Sequence, residues 1–186
     1  GSKVIIKKGT FNLGFPLPKT IPYSTYNKTT LFMGENSTII CEGNVLIAPG
    51  ATIRVKDNAT LIFKGDDIIA HNFTLICSKE VEFGKNVNVS WNNTFIDHDE
   101  HFIWKNDRKI KPFFHPLKIG NNVGIQMNVL IPRGVTIGDG SVVSCGTTIR
   151  KNIPARSLVY HNPELVIKDG FHYAGYVDHE ADSAKS

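Results

Sequence analysis

The sequence predicts an all-β fold, a parallel β-helix built from hexapeptide repeats, and three observations support this prediction. Aliphatic, β-branched residues recur at every sixth position from Ile119 to Ile149. Gly and Asn cluster at the third and fourth positions of the same repeats. Neither the helical spacing of three and four nor the strict alternation of a single strand is present. Period six therefore indicates short strands joined by tight turns.

The repeats read IGNNVG, IQMNVL, IPRGVT, IGDGSV, VSCGTT and IRKNIP, beginning at Ile119. Their first positions are predicted to stack inward, and their Gly and Asn residues to supply corners with positive φ. Each turn of such a coil needs its neighbours to bury its inner face. Upstream the spacing lengthens to eight, at Val45, Ile53, Leu61 and Ile69, which predicts longer corners in the first coils.

The repeat also predicts the organisation of the chain. Residues 1–30, which hold three prolines and no repeat, are expected to form an N-terminal extension or cap, and Gly1-Ser2 resembles a cloning scar. Residues 31–168 are expected to form the β-helix domain, and residues 169–186 a C-terminal tail. The repeat breaks at about 97–118, where a polar, aromatic and basic stretch predicts a loop that protrudes from the coil.

Composition excludes several classes of protein. With 21 basic and 17 acidic residues the net charge is +4, too small to indicate a nucleic-acid partner. No run approaches the roughly 18 apolar residues of a membrane-spanning helix, so we expect no integral membrane segment. Cys41, Cys77 and Cys145 lie far apart and form no CxxC pair, which argues against a disulfide framework. Without a signal peptide, these features predict a cytoplasmic protein.

The hexapeptide run, the preceding IDHDEHF and the later IRKNIPARSLVYHNPELVIK together resemble the left-handed β-helix acyltransferases. The sequence is most similar to the sugar O-acetyltransferases of the maltose/galactoside and capsule-modifying type, over about residues 31–168. The resemblance implies a left-handed coil, acetyl-CoA as donor, and a homotrimer with active sites between subunits. It implies a sugar hydroxyl as acceptor, in a bacterial surface polysaccharide (capsule, O-antigen or exopolysaccharide) or its precursor.

Acyl transfer to a hydroxyl needs a base, and histidine suits this role because its ordinary pKa is near 6.5. The resemblance carries the catalytic histidine onto His98, with His101 as the alternative. A carboxylate could hold the second ring nitrogen and fix the tautomer. Asp97 ranks first for this, ahead of Asp99 and Glu100, and a backbone carbonyl could do the same.

Two other functions compete with this interpretation. N-acetylation of an amino sugar nucleotide would use the same base and groove. His98, His101 and His115 also raise a zinc site, since γ-type carbonic anhydrases share the scaffold and catalytic zinc uses three histidines. His115 precedes the restart of the repeat, where the acetyltransferases have a connector, so we expect no metal.

For the donor, the family segment GAG-S-VVTK is matched by SCGTTIRK. This places small residues along the pantetheine arm and basic residues near the phosphates. Gly124 stands where the family commonly has tryptophan. The implied donor residues are Met127, Cys145, Gly146, Arg150, Lys151 and Lys168.

For the acceptor, aromatic side chains stack on sugar faces and cations suit anionic glycans. Trp104, Lys105 and Arg108 fall in the protruding loop, and Trp91 precedes the His98 segment. We therefore expect these four residues to bind the acceptor.

Overall fold

The computed structural model describes residues 1–15, 28–98 and 114–161, together with the backbone of residues 103–105 and 108–110. The regular elements of this part of the chain are β-strands, as predicted. It contains no helix with the length and hydropathy needed to cross a bilayer. In chain order the strands are β1 (Lys3–Ile6), β2 (Phe11–Leu13), β3 (Thr30–Met33), β4 (Thr38–Cys41), β5 (Val45–Ile47), β6 (Thr52–Val55), β7 (Thr60–Gly65), β8 (Asp67–Ile69), β9 (Thr74–Cys77), β10 (Glu80–Lys85), β11 (Asn88–Val89), β12 (Thr94–Ile96), β13 (Ile103–Lys105), β14 (Arg108–Ile110), β15 (Leu117–Ile119), β16 (Gly124–Ile125), β17 (Leu130–Ile131), β18 (Thr136–Ile137), β19 (Val142–Val143) and β20 (Leu158–Val159).

Three parallel sheets form the faces of the coil. The first face has the order β1-β4-β7-β10-β15-β18, the second β2-β5-β8-β11-β16-β19-β20, and the third β17-β12-β9-β6-β3. From β1 to β12 and from β15 to β19, successive strands therefore visit the three faces in turn, and each strand inside a sheet pairs with the coils before and after it. The architecture is the predicted left-handed parallel β-helix.

The length of a coil explains the change in repeat spacing. In the C-terminal half Lys118 pairs with Thr136, so that one coil is made of three hexapeptides. In the N-terminal half Thr38 pairs with Thr60, and Thr60 pairs with Glu80. Both of these intervals are longer than three hexapeptides. The corners are no longer in the N-terminal half, since residues 56–59 join β6 to β7 just as residues 120–123 join β15 to β16. The additional residues lie in longer strands, so the prediction of longer corners was wrong.

The interior is lined by the residues that the repeat predicted to point inward. First-position side chains from Ile119 to Ile149 are at most 2% exposed, and fifth-position side chains from Val123 to Ile153 at most 7%. Burying one such aliphatic side chain stabilises the fold by roughly 1.5–3 kcal/mol. Because two residues of every six face inward, each coil adds a complete layer to one continuous core.

Phenylalanines fill the larger coils. Phe63 stacks on Phe83 with ring centroids 4.9 Å apart, and Phe83 stacks on Phe95 at 5.7 Å. Phe73 meets Phe95 edge-on at 5.0 Å. All four rings are fully buried. The longer N-terminal coils enclose a wider interior than the coils of three hexapeptides, and aromatic rings occupy the additional space.

Asparagine and glycine form the corners, as predicted. Asn86 and Asn122 have φ of 58° and 54°, and Asn86 Nδ2 donates to Asn122 Oδ1 at 2.9 Å. Asparagine tolerates this left-handed conformation better than most residues. Beside this ladder the backbones of successive coils approach closely, since a Cβ on Gly84 would lie 2.5 Å from the carbonyl carbon of Gly120.

Residues 3–13 belong to the coil, which differs from the predicted domain boundary at residue 31. Lys3 pairs with Thr38, so that β1 extends the first face, and Phe11 pairs with Val45, so that β2 extends the second. These strands lie far from their partners in sequence, and the sixfold spacing is absent there. The sequence pattern therefore could not reveal them, and within this chain the β-helix includes residues from Lys3 onward.

The predicted loop at about 97–118 interrupts one coil. Val81 pairs with Leu117, whereas in the next coil Lys118 pairs with Thr136, so the interrupted coil is twice as long as its successor. Within the insertion β13 and β14 form an antiparallel hairpin. The predicted tail at 169–186 lies outside the described residues.

Candidate active site

His98 lies at the corner between the third and first faces, where the chain leaves the coil after β12. Its ring is nearly enclosed, with 2% of the side chain exposed. It forms an antiparallel bridge with Phe114, and the two rings stack with centroids 5.8 Å apart and planes 3° from parallel. The bridge joins the two ends of the insertion, and the stacked Phe114 ring holds the His98 ring against the coil.

The Asp97 carboxylate is anchored by the preceding coil. It is fully buried and accepts backbone N–H groups from Ser78 at 2.7 Å, Lys79 at 2.7 Å and Glu80 at 3.0 Å. Three such donors satisfy a buried carboxylate and fix its orientation. Its Oδ1 lies 3.4 Å from Nδ1 of His98. The structure therefore brings Asp97 and His98 together, with the carboxylate facing the second ring nitrogen.

Lys56 is part of this cluster, although the sequence analysis did not identify it. Its Nζ lies 3.0 Å from Nε2 of His98. Lys56 follows β6 on the same corner as His98 but two coils earlier, 42 residues away in sequence. Only the coil lengths could have revealed this contact, because the two coils that separate these positions are both longer than three hexapeptides.

Two thiols in the interior are inert. Burial, and then the nearby Asp97 carboxylate, raise the pKa of Cys77 well above its ordinary range. Burial, with a further contribution from Asp67, raises the pKa of Cys41 to about 11. Since only the thiolate is nucleophilic, neither side chain is suited to covalent catalysis at neutral pH.

A second group of predicted residues stacks on the corner between the second and third faces. Backbone N–H groups link successive coils there, from Asn128 to the carbonyl of Trp91 at 3.1 Å and from Gly146 to that of Met127 at 3.0 Å. Trp91 and Met127 are half-buried, and Cys145 is exposed. The structure thus aligns Trp91, which was predicted for the acceptor, with residues predicted for the donor.

Gly124 opens a groove beside that corner. The groove has a volume of about 390 Å³, and its lining includes Ile68, Asn88, Trp91 and Val142. A Cβ on Gly124 would meet no atom closer than Val142 Cγ2 at 4.0 Å. Position 124, where the resembled family commonly has tryptophan, therefore faces open space in this chain.

Arg150 and Lys151 lie away from Cys145. They fall between the bridge of Thr148 on the third face and that of Ile153 on the first face, and both side chains are exposed. This is the corner of His98, two coils after the insertion. The predicted donor residues are therefore divided between two corners, separated in one chain by the third face.

Some predicted residues cannot be placed in the site. His101 and Lys168 lie outside the described residues. The backbone of Trp104 and Lys105 lies in β13 and that of Arg108 in β14, and Lys105 pairs with Arg108. Among the residues whose side chains are described, no group of three His, Cys, Asp or Glu is arranged to hold a metal ion.

Comparison with known sequences finds a hexapeptide transferase family and acetyltransferases. The family described as "Bacterial transferase hexapeptide (six repeats)" matches residues 116–151. The chain is 32% identical over 139 residues to the galactoside O-acetyltransferase of Escherichia coli (strain K12), which covers 74% of this chain and 63% of that protein. It is 35% identical over 145 residues to the acetyltransferase homologue SACOL2570 of Staphylococcus aureus (strain COL), which covers 64% of this chain and 72% of that protein. The chain thus spans less than two thirds of the Escherichia coli relative.

Solved structures share the fold. The hexapeptide-repeat acetyltransferase VCA0836 of Vibrio cholerae O1 biovar eltor, complexed with acetyl-CoA, has a TM-score of 0.54 at 23% identity, covering 71% of this chain and 67% of that one. The polysialic acid O-acetyltransferase OatWY has a TM-score of 0.61 at 18% identity, covering 83% and 74%. At these identities the likeness establishes the β-helix.

Proposed function

Because this chain belongs to the hexapeptide-repeat family of bacterial acetyltransferases, we propose that it transfers the acetyl group of acetyl-CoA to a sugar hydroxyl. The galactoside O-acetyltransferase among its relatives supports an oxygen acceptor rather than the amine of an amino sugar nucleotide. One observation carries the proposal, namely the enclosed imidazole of His98, held between a fixed carboxylate and a stacked ring at the corner where the insertion leaves the coil.

In the proposed reaction His98 is the general base. The acceptor hydroxyl oxygen attacks the thioester carbonyl carbon while Nε2 of His98 takes the hydroxyl proton. The tetrahedral intermediate then collapses, the carbon–sulfur bond breaks, and the imidazolium returns the proton to the leaving thiolate of CoA. Asp97, 3.4 Å from Nδ1, orients the ring and stabilises the transient imidazolium.

The donor is proposed to lie in a groove between subunits of a homotrimer. One corner of the chain presents Met127, Cys145 and Gly146, whereas the other presents His98 with Arg150 and Lys151. One chain cannot place an extended thioester against both corners without crossing its third face. In the trimer, the Cys145 corner of a neighbouring copy would lie against the His98 corner of this chain, and the two corners together would complete the site. Lys168 would add a further cation for the phosphates.

The acceptor is proposed to be a bacterial surface polysaccharide or its precursor. Trp104, Lys105 and Arg108 lie on the hairpin that rises from the His98 corner, and this combination suits a glycan with anionic groups. Trp91 would stack on a sugar ring from the other corner. The three free thiols fit a reducing compartment, and we propose that the reaction takes place in the cytoplasm.

The test is release of free CoA from acetyl-CoA with a panel of sugars and oligosaccharides. We expect turnover that requires an acceptor and falls at least about 10²-fold in His98→Ala, since a general base contributes roughly 10²–10⁴-fold. The product should be a base-labile ester, whereas a base-stable amide would identify the amino sugar reaction.

His115→Ala is the matched control. His115 is exposed, so this variant should retain activity if His98 acts as a base. No CoA release by the wild type with any acceptor, together with bound zinc, would instead support the carbonic anhydrase alternative. Full activity in a folded His98→Ala protein would refute the proposed mechanism and make His101 the next candidate.

A further inference from the structure

Lys56 contacts the ring nitrogen that the proposed reaction uses. Its Nζ lies 3.0 Å from Nε2 of His98. We infer that Lys56 is a positioning residue, which holds the His98 imidazole in the neutral tautomer whose lone pair is on Nε2. This inference rests on the proposed role of His98 as general base.

The donor and acceptor chemistry of the two neighbours selects one tautomer. An ammonium has three N–H donors and no lone pair, so Nε2 must accept from Lys56. An ionised carboxylate only accepts, and Oδ1 of Asp97 lies 3.4 Å from the buried Nδ1 without forming a hydrogen bond to it, so its charge favours an N–H over a lone pair at Nδ1. Both neighbours therefore place the ring proton on Nδ1. In the opposite tautomer an N–H would point at the ammonium and a lone pair at the carboxylate.

Burial makes this selection effective. The His98 side chain is 2% exposed and Asp97 is fully buried, so water has little access to either ring nitrogen. In such surroundings a mismatched donor or acceptor costs the full desolvation penalty of that group. Phe114 stacks on one face of the ring, with centroids 5.8 Å apart.

The β-helix explains how a residue so distant in sequence reaches the base. Lys56, Ser78 and His98 occupy the same corner in three successive coils. The Lys56 side chain spans the coil between Lys56 and His98, since its Nζ lies 3.0 Å from Nε2 of His98. An acceptor hydroxyl would take the place of the ammonium at Nε2, so that one donor is exchanged for another at the same lone pair.

The first measurement is the ¹⁵N NMR spectrum of the histidine rings in the whole chain, recorded without substrate. The chain has seven histidines, and the missing signals of His98→Gln assign His98. We expect a protonated Nδ1 and an unprotonated Nε2 in the wild type and in Lys56→Arg, which retains a donor. In Lys56→Met we expect the proton to move to Nε2 in a substantial fraction of molecules. Lys64→Met, which removes a partly buried lysine paired with Glu42, should leave the His98 signals unchanged.

The second measurement is the kinetics of acetyl transfer. Lys56→Met should lower kcat by about tenfold, a part of the 10²–10⁴-fold that a general base supplies, with KM for both substrates unchanged. Lys56→Arg should restore most of this rate. A merely structural lysine would change the unfolding midpoint without moving the tautomer or the kcat.

The NMR result is independent of the activity. Protonated Nε2 in the wild type would overturn the inference, even if His98→Ala abolished acetyl transfer. The same holds for a Lys56→Met protein that keeps the wild-type tautomer. Conversely, the expected NMR result would support the inference even if acetyl transfer were not found, in which case the proposed function alone would fail.

Discussion

We expect Asp67 to make the stability of the β-helix depend on pH. It is 2% exposed, at an inward position where its partner in the preceding coil is Val45. Its carboxylate accepts the N–H of Val87 at 2.9 Å and that of Gly65 at 3.3 Å. Burial raises the pKa of Asp67 from 3.8 to about 7, although these two N–H groups oppose the increase.

The direction of the effect follows from linkage. Because the folded pKa is raised, the folded protein binds a proton between pH 4 and 7 that the unfolded chain releases. The contribution of Asp67 to stability is therefore fully present below pH 4 and is lost as the pH rises through 7. A pKa increase of about three corresponds to about 4 kcal/mol, which is the upper limit of the loss.

We expect Asp67→Asn to remove this dependence. Asn93 already shows that an amide fits such a corner, since its Oδ1 accepts from Val129 N and its Nδ2 donates to Ser90 O, both at 2.7 Å. The test is urea unfolding at fixed protein concentration between pH 4.5 and 8.5. The free energy of unfolding of the variant should exceed that of the wild type by an amount that grows up to pH 7 and then stays constant.

Asp139→Asn is the control of opposite sign. Hydrogen bonds from the backbone and side chain of Asn121 lower the pKa of Asp139, which is an exposed residue. Removing its charge should lower stability by a constant amount between pH 4.5 and 8.5, and this difference should shrink only below about pH 4. A constant difference between Asp67→Asn and the wild type across pH 4.5–8.5 would refute the reasoning.

Three further substitutions test the packing and the groove. Phe83→Ala should cost about 3–5 kcal/mol of unfolding free energy, since it removes a fully buried ring, whereas Phe32→Ala should cost less than about 1 kcal/mol because half of that side chain is exposed. Gly84→Ala should lower the unfolding midpoint, because its Cβ would lie 2.5 Å from the backbone of Gly120. Gly124→Trp should leave the unfolding midpoint unchanged, because its side chain enters open space, but should raise KM for acetyl-CoA. An unchanged KM would place the donor elsewhere.

The fold could be predicted from the sequence because its determinants are local. Each hexapeptide carries its own inward residues and its own corner. Ile119 and Val123 alone therefore indicate where a strand lies and which of its side chains point into the interior. The strands β1 and β2 were missed because their partners lie far along the chain, across a segment without the repeat.

The site could be predicted only in part, since its contacts join different coils. His98 and Asp97 are neighbours in sequence, and their proximity needed no knowledge of the fold. Lys56 reaches His98 only through the lengths of two intervening coils, and these lengths differ from the hexapeptide value. The separation of Cys145 from Arg150 across one face likewise depends on which corner each residue occupies.

The hairpin insertion has a consequence for how this scaffold can diversify. The strands before and after it keep their ladders, with Val81 opposite Leu117 and Thr94 opposite Leu130. The antiparallel bridge between His98 and Phe114 closes the insertion at its base. Segments of other lengths and sequences could therefore be exchanged at this point without altering a hydrogen bond of the coil. Under the proposed function, acceptor recognition by the hairpin could then change independently of His98 and of the folded core.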